Sequence, residues 1–241
     1  MKKYSSISSK FLIIPFLVIV RAANVSAQEF GDVVYDLSEY VALGVGISGQ
    51  HFAPSTGNQL PDSLAIRFSN PQFHFEFRSP EARLALGYTS YAQFGKSGVA
   101  ISLQAESRQE IPLLRGNLRS GIYLPICLST NFMRAANLSS SAKDVNVVSL
   151  GAGSGLEARW LRRDFGLEAR CTGIFHYSTQ SFSVDDGTSN LISGEVLLLL
   201  PEVVGRGVIV GYRYELQVWK MKRSDLNYRR EINGPFLNII F

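Results

Sequence analysis

From about Glu39 onward the chain alternates apolar and polar residues with a period of two, and this constrains its fold more than any other feature. The cleanest stretch runs from Gln72 to Arg78, where Phe73, Phe75 and Phe77 interleave with His74, Glu76 and Arg78. A period of two puts successive side chains on opposite faces of an extended strand, whereas a helix needs apolar residues three and four apart. The same pattern marks ten stretches, at about 39–49, 72–78, 83–94, 98–107, 117–127, 146–160, 164–178, 191–200, 206–219 and 233–241. No helical period and no sequence repeat competes with it. The expected fold is all-β.

The connections differ in length. Ser79-Pro80-Glu81, Leu161-Arg162-Arg163 and Pro201 to Gly205 are short, while His51–Pro71, Leu128–Val145, Thr179–Asn190 and Lys220–Ile232 are longer. Two joints depart from this alternation, a tight one at Gly95–Ser97 and a long one at Arg108–Gly116. Short turns on one rim and long loops on the other characterise transmembrane barrels. The reading is a closed antiparallel up-and-down transmembrane β-barrel of about ten strands. Leu64, Ile66 and Phe68 either extend the second strand or form another, so eight or twelve strands are also compatible. A soluble sandwich or a lipocalin-like ligand-binding barrel would show the same alternation with its apolar face turned inward.

Met1 to Lys10 carries Lys2, Lys3 and Lys10 and no acid. An apolar run from Phe11 to Val20 follows, then Arg21 and the small-residue site Val25-Ser26-Ala27. These are the parts of a secretory signal peptide, and the run is too short for a membrane-spanning helix. Cleavage is expected after Ala27, leaving 28–241 as one barrel domain. The chain has 24 basic and 20 acidic residues, and the leader holds four of the basic ones. The mature chain is therefore balanced, and its charge is no argument for nucleic acid. Cys127 and Cys171 fall on opposite faces, so two free thiols are expected. No metal-ligand spacing and no cofactor motif occurs; Gly151-x-Gly153-x-Gly155 opens no helix and reads as wall packing.

The last stretch is Asn233-Gly234-Pro235-Phe236-Leu237-Asn238-Ile239-Ile240-Phe241. It resembles the terminal strand of small bacterial outer-membrane β-barrel proteins, in which a final aromatic residue is recognised by the insertion machinery. The resemblance implies an outer-membrane location, Phe241 as insertion signal, both termini in the periplasm, and contact with outer-membrane lipid and lipopolysaccharide. A monomer is the expectation. Tyr88, Phe94, Phe175, Tyr177 and Tyr212 are candidates for the aromatic girdles of such a wall.

If the apolar faces meet lipid, the lumen receives Glu76, Arg78, Arg83, Glu106, Arg119, Glu157, Arg159, Glu168, Arg170, Glu195, Arg213 and Glu215, with His74, Gln104, His176 and Gln217. Charges in so narrow a barrel must be paired, so a salt-bridged plug is expected, with a narrow pore as the second reading. Gly173-Ile174-Phe175-His176-Tyr177-Ser178-Thr179 is similar to the His-x-Ser segment of lipid A 3-O-deacylases. That resemblance implies acyl-ester hydrolysis by His176 and Ser178, with Glu195 or Asp186 as the acid. Thr179 stands where that family has Asn, and Asn190 where it has its acid. The last loop is basic, with Lys220, Lys222, Arg223, Arg229 and Arg230 as candidate contacts for lipopolysaccharide phosphates. The function expected is a structural, binding or narrow-transport role in the cell envelope, with the deacylase and the soluble ligand-binding barrel as alternatives.

Overall fold

A computed structural model describes residues 40–55, 65–93, 95–117, 120–137, 144–162, 165–180, 186–203, 206–222 and 227–241. The leader 1–27, Phe94, Arg119 and Arg223 lie outside the described residues. Ten strands are present: β1 Ala42–Pro54, β2 Phe68–Arg78, β3 Ala82–Gln93, β4 Lys96–Asn117, β5 Ser120–Asn137, β6 Val145–Leu161, β7 Gly166–Gln180, β8 Asp186–Val203, β9 Arg206–Met221 and β10 Tyr228–Ile240. Each pairs antiparallel with its sequence neighbours, and β1 pairs with β10 to close the barrel.

Closure is staggered. Paired positions lead around the wall from Phe68 through Phe52, Arg230, Gln217, Leu191, Ile174, Gly153 and Cys127 to Arg108. The Arg108 N–H bonds the Glu81 carbonyl at 2.7 Å, so the path returns to the link just beyond β2, about 12 residues from its start. A stagger of that size tilts the strands by about 40° and removes every edge from the wall itself.

The alternation sorts as expected. Val45, Ile47, Phe73, Phe75, Leu86, Leu128, Leu150, Phe175, Val210 and Leu237 are exposed on the outside. Glu76, Arg78, Arg83, Glu157, Glu168 and Glu215 are buried inside. A soluble barrel partitions its residues the other way, so the lipocalin-like alternative is set aside: in water that outer wall would leave contiguous apolar surface unburied. Tyr88, Phe175, Tyr177 and Tyr212 also point outward. Near the short-turn rim Trp160 packs edge-on against Phe165, with the guanidinium of Arg162 over the Trp160 ring. Aromatic rings beside cations suit a membrane–water interface.

The links on one rim are two to four residues long, and those on the other run from two to thirteen. The tight joint after β3 is a two-residue link in which Gly95 has φ +74°, a left-handed conformation that only glycine adopts without steric cost. The long joint expected at Arg108–Gly116 is instead strand. β4 continues to Asn117 and pairs with β5 as far as Asn117–Ser120, with register shifts at Pro112/Leu114 and Arg115/Asn117. Pro112 and the adjacent run of like-sized apolar residues obscure the period there. The pairing of β3 with β4 stops at Ala82–Ser107, so this hairpin projects past β3 with Ile111, Leu113 and Leu114 exposed. The loop expected at Leu128–Val145 shrinks correspondingly, because β5 continues to Asn137.

Cys127 is buried and Cys171 exposed, and both thiols are free. The β6 glycines face inward. A Cβ on Gly151, Gly153 or Gly155 would collide with the β7 backbone at Phe175, Gly173 and Cys171 respectively, so these glycines permit close approach of the two strands.

Candidate functional site in the barrel lumen

The inward residues form layers along the barrel axis. Toward the long-loop rim, Phe52 stacks on Phe68 and Tyr228 at ring-centroid distances of 5.4 and 4.8 Å, and Phe68 stacks on Tyr91 at 4.4 Å. Trp219 meets Phe52 edge-on at 6.4 Å, and Ile66, Met133, Val145 and Val147 complete this apolar cap. Beneath it lie amides and hydroxyls. Thr89 donates to Gln50 at 2.6 Å, Gln72 to Ser102 at 3.1 Å and Asn131 to Gln217 at 2.6 Å. Ser178 bonds Ser149 at 2.8 Å and Ser189 at 3.2 Å.

The next layer is ionic. Glu195 receives both Nη atoms of Arg78, at 2.5 and 2.9 Å, and Arg213 at 2.7 Å. Glu76 lies 2.8 Å from Arg78, 3.3 Å from Arg83 and 2.6 Å from Arg213, and accepts from Asn238 at 3.2 Å. Arg83 reaches Glu215 at 2.8 Å. On the β6–β7 side Arg170 bridges Glu157, at 2.7 Å, and Glu168, while Arg159 bridges Glu157 and, at 2.6 Å, Glu110. The cations of Arg78 and Arg213 lie 5.1 and 4.6 Å from the Phe236 ring, which joins this layer to a floor of Tyr40, Ala42, Leu161, Leu197, Leu199, Ile209 and Ile240.

Eleven of the twelve charged residues expected in the lumen are therefore there and paired; Arg119 lies outside the described residues. Three further participants escaped the sequence. Arg108 and Glu110 sit in the segment read as a turn, where no strand parity applied. Arg108 contacts Glu106 at 3.4 Å and Glu157 at 3.8 Å. Arg230 was read as an outer-loop phosphate contact. It is instead 2% exposed and points inward, its guanidinium 5.8 Å from the Trp219 ring. The physical reason is that β10 begins at Tyr228, so strand parity already governs Arg230. The parity of β9 likewise could have identified Trp219 as an inward cap residue. Of the other basic candidates, Lys222 pairs with Asp186 at 2.6 Å, Arg229 with Glu231 at 2.7 Å, and Lys220 is exposed.

The deacylase constellation does not assemble. His176 and Ser178 are both buried, but Ser178 bonds serines, and neither imidazole nitrogen of His176 has a hydrogen-bond partner among the described residues. Glu195 is held by arginines in the layer below, and Asp186 is engaged by Lys222 and the Tyr177 hydroxyl. A hydroxyl nucleophile needs a base in reach and a group that orients that base. Neither contact exists among the described residues.

No family model and no curated protein matches the chain. Among solved structures it is similar to the outer membrane protease OmpT from Escherichia coli, at 8% identity and TM-score 0.37 over 87% of this chain and 100% of that one. It is also similar to the translocator domain of the autotransporter NalP from Neisseria meningitidis, at 7% identity and TM-score 0.34 over 97% of each chain. A third is Ail of Yersinia pestis, at 8% identity and TM-score 0.30 over 85% of this chain and 100% of that one. The class follows from the molecule's own geometry: a closed ten-stranded antiparallel barrel with an apolar exterior and a charged interior is of the outer-membrane β-barrel type.

Proposed function

We propose that this chain is an outer-membrane β-barrel protein that plays a structural or binding role in the cell envelope through its wall and loops, and that its lumen is a plug. The observation behind this reading is the layering of the lumen. An aromatic cap and an apolar floor bracket the paired charges, so a permeating ion would shed its water against rings and aliphatic chains at both mouths. In the proposed orientation the short turns and both termini face the periplasm, and the leader 1–27 is removed on export. Lys220, Lys222 and Arg229 are then available near the outer surface for lipopolysaccharide phosphates. Acyl-ester hydrolysis is no part of this reading, because among the described residues no carboxylate orients His176.

Purified protein reconstituted in a planar bilayer is expected to give no stable single-step current. Large, reproducible steps would replace the plug with a channel. Cell fractionation tests the location, and recovery of folded protein from the periplasm without detergent would reject it.

A further inference from the structure

We propose that the lumen holds a site for one small monoatomic anion, chloride in the cell, between the aromatic cap and the ionic layer. A cavity of about 20 Å³ lies there, lined by Arg83, Arg213, Arg230, Gln104, His74 and Glu215 among others. A space of that size takes one water or one ion of nearly the same radius, and is too small for phosphate or sulfate.

The local charge is what favours an anion over water. In the ionic layer Glu76, Glu195 and Glu215 are matched by Arg78, Arg83 and Arg213, through contacts of 2.5 to 3.8 Å. Arg230 is left over. It is 2% exposed, and among the described residues no carboxylate lies within ion-pair distance of it. Among the described residues its nitrogens bond the Gln217 amide oxygen at 3.3 Å and the Met133 sulfur at 3.9 Å, and its guanidinium lies 5.8 Å from the Trp219 ring. Among the described residues, Glu106, Glu110, Glu157 and Glu168 are engaged elsewhere, by Arg108, Arg159 and Arg170.

A buried guanidinium without a counter-charge is costly, and an anion beside it removes that cost. The second observation is an unused donor. Gln104 is 4% exposed and its Nε2 has no partner, while its Oε1 accepts from Arg83 at 3.0 Å. That bond sets the amide orientation, leaving the NH₂ as a donor at a cavity whose lining carries three guanidiniums against one carboxylate.

The full-length protein, crystallised with bromide in place of chloride, is expected to show one anomalous peak among Arg83, Arg213 and Arg230. In solution its unfolding midpoint is expected to rise with chloride and not with gluconate at matched ionic strength, which holds screening constant. Arg230→Met should abolish the chloride dependence. If that variant does not fold, Gln104→Leu keeps the charge and loses the donor, and should weaken chloride binding about tenfold. A cavity that shows water and no anomalous signal overturns the site, as does a chloride dependence that Gln104→Leu leaves unchanged.

Discussion

The two halves of the lumen are filled by different means. The half nearer the short turns is held by arginine–glutamate pairs, most of them shared, so that Glu195 serves Arg78 and Arg213, and Arg170 serves Glu157 and Glu168. The half nearer the long loops is held by stacked rings over a layer of amides and hydroxyls. The ionic half depends on complementarity: each charge is tolerable only because its partners are present, and removing one leaves the others buried and unmatched. The aromatic half depends on volume, and a ring replaced by a smaller apolar group loses area and dispersion contacts without stranding a charge.

This contrast predicts an order of effects. Glu195→Ala removes the carboxylate shared by Arg78, Arg213 and Arg170 and leaves Glu76 as the remaining partner of Arg78, and is expected to lower stability by about 3–5 kcal/mol in denaturant unfolding of the folded barrel. A small loss would mean that water enters and solvates the arginines. Combining Glu195→Gln with Arg78→Gln should cost less than the sum of the two single changes, with a coupling of about 1–3 kcal/mol in a double-mutant cycle. Strict additivity would reduce the shared bridge to two independent contacts. Phe52→Leu in the aromatic cap should cost less than about 1.5 kcal/mol, because it strands no polar atom. A larger loss would make the cap as exacting as the ionic layer. Lys222→Met, which removes the exposed partner of Asp186, should leave the unfolding midpoint unchanged, since water and salt replace a surface ion pair.

The wall was more legible in the sequence than the lumen. Phe73, Phe75 and Phe77 alternate with His74, Glu76 and Arg78, and one period suffices to tell lipid face from lumen face. On β9 Arg213 and Glu215, which share that parity, are both buried. It failed where strand bounds were misread: Arg108 and Glu110 disappeared into a supposed turn, and Arg230 into a supposed loop. The inward apolar caps were also missed. On β8, Leu191, Leu197 and Leu199 face in while Ile192, Val196 and Leu198 face out, so hydropathy alone shows no alternation there.

What the sequence by itself determined is therefore the local geometry of this protein: the extended conformation, strands numbering about ten, and the face on which each alternating side chain falls. Those follow from the two-residue repeat of the backbone, which needs no information from distant residues. Only the tertiary structure decided which charges meet. Arg78 finds Glu195 across 117 positions of sequence, and Arg83 finds Glu215 across 132. Such pairs depend on the stagger accumulated around the whole wall and on the width of the closed barrel. A one-residue slip at a single hairpin would turn the shifted strand's charges toward lipid. The same closure left Arg230 inside with no carboxylate of the described residues at ion-pair distance, a fact that no stretch of the sequence contains.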